Sequence, residues 1–179
     1  MLDSQNIFLN KKILIYGLGK SGLSAFKFLQ KNNRVIKYDD KINTNYKEIK
    51  KIKFDYIILS PGIDINKCSL SSFLKKNYKK IHTDLDIFYN HYEDNNKITI
   101  TGTNGKSTTA KILYEVLKAQ KTDVRLVGNI GNPILLEKNI TNKTVFVIEA
   151  SSYQLEYSKL FRSNISMILN ISPDHLDRH

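Results

Sequence analysis

The segment from Lys97 to Thr109, KITITGTNGKSTT, sets a glycine-framed turn between an apolar strand and an amphipathic helix. The strand-to-helix junction of an α/β layer accommodates that order, because successive backbone N–H groups of the turn and the helix N-terminus then converge on one point and cradle phosphate oxygens. Gly102 and Gly105 allow the tight turn, Lys106 adds a point charge, and the Ser107 hydroxyl suits a magnesium ion, so a nucleoside triphosphate is the implied ligand. Thr103, Asn104 and Thr108 complete the loop. The general phosphate-loop pattern puts an earlier glycine where this chain has Ile100. GTPases and kinases of the ordinary kind therefore fit poorly, and no Asn-Lys-x-Asp guanine reader is found. The narrower variant TGTNGKST remains.

A second glycine turn, GLGKSG with Gly17, Gly19 and Gly22, follows the apolar run KKILIYG and precedes Leu23, Phe26 and Leu29 at helical spacing. It matches a dinucleotide-binding fingerprint, and Asp39 stands near the spacing of a ribose-binding acid, so a NAD-type site is a legitimate rival. The broader reading is a diphosphate-bearing ligand at this turn. Strands are expected at Val35 to Tyr38, Tyr56 to Ser60 and Ile81 to Thr83, with a helix at Leu70 to Asn77. After the polar run Glu93 to Asn96, a helix is expected from Ser107 to Gln120, with Leu113, Val116 and Leu117 as its apolar face. Strands near Val124 to Val127, Val145 to Glu149 and Ile165 to Asn170 follow. The alternation predicts two α/β units with parallel sheets, divided into residues 1–93 and 94–179.

Three further positions lie at strand ends, where open α/β folds bind ligands. Glu149 closes TVFVIE and suits a metal brought there by a triphosphate. His175, in SPDHLDRH, has Asp174 and Asp177 beside it as orienting partners. Asn129, in VGNIGNP, offers a neutral donor and acceptor, or serves only a turn.

The chain has 179 residues and a formal net charge of +11, carried by 24 Lys and only 4 Arg scattered along it. Base-reading surfaces favour clustered arginine, so no nucleic-acid partner is expected. No apolar run is long enough to span a bilayer, and the start, MLDSQNIFLNKK, lacks the order of a secretion signal. A single cysteine, Cys68, excludes an internal disulfide framework and suits the cytoplasm.

Taken together, TGTNGKST, EASSYQLE from Glu149 to Glu156, GLGKSG, SPG at Ser60 to Gly62, GNIG at Gly128 to Gly131 and DHLDR at Asp174 to Arg178 resemble the Mur ligases of peptidoglycan synthesis, over essentially the whole chain. The Ser-Ser-aromatic-Gln-Leu segment is similar to the D-glutamate-adding members. The resemblance implies a Rossmann-like UDP-substrate domain followed by the first part of a P-loop ATPase domain. It assigns Lys20 and Ser21 to a diphosphate, Asp40 and Lys41 to the neighbourhood of uracil, with Gly62 beside them, and Asn129, Ser152 and Gln154 to the muramoyl portion or its phosphates. Asp40 and Lys41 depart from the commoner Thr-Arg pair. Lys106, Glu149 and His175 become the catalytic set, with Mg2+ held by Ser107, Glu149 and His175. The implied reaction is ATP-dependent joining of D-glutamate to UDP-N-acetylmuramoyl-L-alanine by a monomer. A downstream lysine and a C-terminal domain of the family have no counterpart here, so the chain reads as the first part of a longer ligase and turnover by this piece alone is not expected.

Overall fold

The computed structural model describes residues 6–42 and 45–174. Within them, β1 (Lys12–Tyr16), β2 (Arg34–Tyr38), β3 (Tyr56–Leu59) and β4 (Ile81–His82) form one sheet in the order β2-β1-β3-β4. A second sheet holds β5 (Lys97–Thr101), β6 (Val124–Gly128), β7 (Val145–Glu149) and β8 (Ile165–Ile168) in the order β6-β7-β5-β8. All pairings are parallel. The helices are α1 (Lys20–Leu29), α2 (Tyr46–Lys51), α3 (Ser71–Lys76), α4 (Asp84–His91), α5 (Lys106–Ala119) and α6 (Ser152–Glu156).

Parallel strands covered on both faces need apolar side chains on both, which explains the unbroken runs of β1, β3 and β7. Ile13, Leu14, Ile15 and Tyr16 are all fully buried, and so are Phe146, Val147 and Ile148. One apolar cluster runs through both sheets, from Phe8, Ile13 and Ile58 through α4 to Val127, Phe146 and Ile148. Phe88 of α4 meets Phe146 edge to face, with ring centroids 4.8 Å apart. Such a pair contributes about 0.5–1.5 kcal/mol beyond its buried area. Sequence periodicity did not single out α4; its start is marked instead by a capping box in which Thr83 and Asp86 satisfy each other's end of the first turn.

The topology gathers the loops that matter. β1 lies between β2 and β3, so successive crossovers leave it in opposite directions and open a crevice at the carboxyl ends of β1 and β3. β5 likewise lies between β7 and β8. Two expected helix faces shift. Leu23 is exposed, whereas Leu29 is buried and Phe26 packs against the core as expected, with Gly22 and Ala25 taking the rest of the buried side of α1. The reason is a close approach: a Cβ on Gly22 would lie 1.8 Å from the carbonyl oxygen of Gly17. Val116 is also exposed, because Ala110, Leu113, Tyr114 and Leu117 form the packed stripe of α5. At about 100° per residue, Val116 falls roughly 110° from the centre of that stripe.

Candidate nucleotide-binding site

The turn after β1 is stitched to the turn after β3. Gly17 takes φ +91°, and its carbonyl accepts the Ser60 hydroxyl at 2.7 Å. A Cβ at Gly17 would stand 2.7 Å from that of Ser60, so the position admits only glycine. These turns line a cavity of about 830 Å3, together with Lys20, Ser21, Asp40, Lys41, Gly62, Asn129 and Gln154. Asp39, the acid of the NAD-type reading, turns its carboxylate to the backbone, accepting the N–H of Leu18 at 2.7 Å and of Lys41 at 2.9 Å. Asp40 accepts hydrogen bonds from the Tyr16 hydroxyl at 2.7 Å and the Ser69 hydroxyl at 2.5 Å. Burial pushes its carboxyl up, and the bonds from Ser69 and Tyr16 outweigh that and hold it below the usual range. Its charge is thus engaged by donors of the protein itself.

A second cavity, of about 1070 Å3, is lined by Gly102, Thr103, Lys106, Asn129, Ser152 and the chain after β8 from Asn170 to Asp174. Pro61, Gly62 and Asn129 belong to the walls of both cavities. Gly105 takes φ +85° at the N-terminus of α5. The early N–H groups of that helix have no partner within it, and the helix dipole makes them an anion cradle. Lys106 folds back over the turn and donates to the carbonyls of Gly102 at 2.7 Å and Thr103 at 2.8 Å. Asn104, Gly105, Ser107 and Thr108 are exposed.

Asn170, which the sequence reading passed over, fixes the shape of this loop. Its side-chain oxygen accepts the N–H of Asn104 at 2.9 Å, and its amide donates to the Asn104 carbonyl at 3.0 Å. Its backbone carbonyl accepts the N–H of Thr103 at 3.1 Å. A side-chain amide can satisfy the N–H and the C=O of one residue in this way. The sequence signal was only an asparagine at the end of an apolar strand.

Glu149 is the Cα partner of Ile100 on β5 and of Gly128 on β6, which puts it beside the start of the phosphate loop. It is only 1% exposed. One carboxylate oxygen, Oε1, accepts the Asn129 side-chain amide at 2.9 Å, while Oε2 is buried with no hydrogen-bond partner among the described residues. Buried polar atoms are almost always satisfied, so an orphaned carboxylate oxygen fits a divalent cation. No cluster of three or more acidic, histidine or cysteine side chains forms around it among the described residues. His175 lies outside the described residues. Gln154 is buried and serves a capping box: its oxygen accepts the Ser151 N–H at 3.0 Å, and its own N–H donates to the Ser151 hydroxyl at 3.3 Å. Ser-x-x-Gln at 151–154 was the signal for that role.

Fold and site together define a parallel α/β protein with two glycine turns whose cavities share one wall. Residues 100–179 match the Mur ligase middle domain. The chain is 37% identical to the UDP-N-acetylmuramoylalanine–D-glutamate ligases of Caldicellulosiruptor bescii, over 94% of its length and 41% of theirs, and of Rickettsia bellii, over 94% and 40%. For the enzyme of that name from Lachnoclostridium phytofermentans the figures are 38%, 96% and 42%. The chain belongs to the Mur ligase family and spans about two fifths of the length of these relatives. The crystal structure of UDP-N-acetylmuramate:L-alanyl-gamma-D-glutamyl-meso-diaminopimelate ligase from Neisseria meningitides has the same fold, with a TM-score of 0.55 over 94% of this chain and 63% of that one at 16% identity.

Proposed function

We propose that the chain provides the UDP-substrate site and the ATP phosphate site of a ligase joining D-glutamate to UDP-N-acetylmuramoyl-L-alanine. The observation that carries this reading is the shared wall of Pro61, Gly62 and Asn129 between the two cavities. A substrate anchored at the first glycine turn reaches the second cavity past that wall, where a transferable phosphate lies on Lys106 and the N-terminus of α5. Lys20 and Ser21, in the first turn of α1, hold the diphosphate, Lys41 and Gly62 lie toward the uracil, and Ser152 faces the muramoyl end. Residues 1–93 act as the substrate domain and 94–179 as the first part of the ATPase domain.

In this reading the terminal alanine carboxylate of the substrate attacks the γ-phosphorus of ATP. An acyl phosphate forms as the bond to ADP breaks. The amine of D-glutamate then attacks the carbonyl carbon, phosphate leaves, and the amine loses its extra proton. Two anions must approach each other, and that repulsion is the barrier the site lowers. Lys106 releases the Gly102 and Thr103 carbonyls and turns to the β- and γ-phosphates. Glu149 offers its unpartnered Oε2, with Ser107 and His175, to hold Mg2+. When bound, that ion neutralises developing charge on the phosphate oxygens. The reading places the chain in the cytoplasm as a monomer without a nucleic-acid partner, and no helix among the described residues is long and apolar enough to cross a membrane.

Calorimetric titration of the chain with UDP-N-acetylmuramoyl-L-alanine tests this. Binding that survives excess NAD and is lost in Ser21→Trp supports the reading. Displacement by NAD at similar concentration contradicts it and favours a dehydrogenase-type site.

A further inference from the structure

Asn129, one of the three residues shared by both cavities, also holds Glu149. Gly128 takes φ +107°, and a Cβ there would lie 2.3 Å from the Glu149 carbonyl oxygen. That close approach lets the Asn129 N–H donate to the same carbonyl at 2.8 Å. The Asn129 side chain then turns to the carboxylate and donates Nδ2–H to Oε1 at 2.9 Å. An ionised carboxylate only accepts, so the amide nitrogen must face it. Asn129 thus grips Glu149 at two points, through main chain and side chain. Oε1 is occupied and Oε2 is left buried and, among the described residues, unpartnered.

We infer that Asn129 is a positioning residue that fixes the Glu149 carboxylate in one rotation, so that only Oε2 is free for a divalent cation. The inference rests on the reading of Glu149 as a metal ligand given above. Two consequences follow from geometry. Without the Nδ2–H bond the carboxylate can rotate, and both oxygens share the work of satisfying a buried charge with no fixed direction. Groups that hold a ligating carboxylate typically change metal affinity 10- to 100-fold when removed. Asn129 also lines both cavities, so a ligand in the first that competes for its amide loosens the grip on Glu149. Metal affinity and substrate occupancy are thereby coupled through one side chain.

The experiment measures Mn2+ binding by electron paramagnetic resonance on the whole chain, as wild type, Glu149→Gln, Asn129→Ala, Asn129→Leu and the Glu149→Gln/Asn129→Ala double variant. Leucine keeps the branched shape of asparagine and removes the donor, which covers the case in which the alanine variant does not fold; thermal unfolding reports folding. The expected result is a loss of Mn2+ affinity of about 10-fold or more in each single variant. The double variant should bind no more weakly than Glu149→Gln alone, and ADP affinity without metal should be unchanged. Full Mn2+ affinity in a folded Asn129 variant, with loss in Glu149→Gln, overturns the positioning role and leaves Glu149 as ligand. Full affinity in Glu149→Gln overturns the ligand reading, and the positioning role falls with it.

Discussion

Asp86 in the first turn of α4 accepts the backbone N–H of Phe161 at 3.0 Å, although 75 positions separate them. The same carboxylate also accepts the N–H groups of Lys159 at 2.9 Å and Leu160 at 2.8 Å, and the Ser158 hydroxyl at 2.9 Å. On its other side lies His82 Nδ1, at 3.0 Å. A strand-end histidine and a helix of the first sheet are thus bound to the loop leading into β8. That loop sets where Asn170 and the phosphate-loop contacts fall.

Replacing Asp86 by alanine strands these part-buried N–H groups. Hydrogen bonds to a charged acceptor contribute about 1.5–3 kcal/mol each, and losing several should cost at least about 3 kcal/mol. For a chain of this size that corresponds to a fall in Tm of roughly 6–12 °C. Burial raises the Asp86 carboxyl, yet the bonds from His82, Leu160 and Phe161 outweigh it and hold it below its ordinary value. A depressed acid stabilises above the usual carboxylate range and loses that contribution as pH falls through its folded value. The Tm gap between wild type and Asp86→Asn should therefore narrow at low pH. A gap that is constant with pH would contradict the ion's role.

Lys97 opens β5 with its ammonium buried, donating to the carbonyls of Glu93 at 2.9 Å and Asn95 at 2.5 Å. Burial lowers it from 10.5 to about 8, against the pull of Asp94 and Glu93. Between those values the unfolded chain holds more protons than the folded one, so folding gains as pH rises. Thermal melts should show wild type gaining on Lys97→Met between pH 8 and 10.5. A flat difference would show that the ammonium titrates as an exposed lysine does.

Gly22→Ala should be among the most damaging single-methyl changes. Its new carbon would meet the Gly17 carbonyl at 1.8 Å, so the first glycine turn has to open. Overpacking of this kind costs about 1–3 kcal/mol or more. Chemical denaturation should show the loss, and UDP-substrate binding should fall with it. A variant of wild-type stability would mean that α1 docks differently.

Asn170→Ala should leave the fold intact and loosen the phosphate loop. Losing two neutral hydrogen bonds at about 0.5–1.5 kcal/mol each predicts ADP binding weaker by roughly 5- to 150-fold, the upper end applying only if both are fully lost. Unchanged ADP affinity would contradict a positioning role for Asn170.

Much of this architecture was legible in the residues. The parallel sheets announced themselves through unbroken apolar runs such as ILIY and VFVI, and the tight turn between β5 and α5 through its glycines. Helix faces were less legible, because Leu23 and Val116 repeat at a helical period that the packing does not use. Gly22 shows why: the buried side of α1 is chosen by backbone approach, which hydrophobicity does not encode. The Gln154 cap was written locally as Ser-x-x-Gln, whereas the role of Asn170 depends on contacts with a loop made elsewhere in the chain. Asp40 looked available from its spacing alone, and only the approach of Tyr16 and Ser69 shows its charge to be engaged.

Whether the turn from Gly102 to Thr108 binds a triphosphate is tested most directly by calorimetric titration of MgATP into wild type and Lys106→Ala. Removing a charged donor worth about 1.5–3 kcal/mol should weaken binding roughly 10- to 150-fold, with the Tm of the free protein little changed. Equal affinity in both proteins would contradict the assignment of the phosphate site.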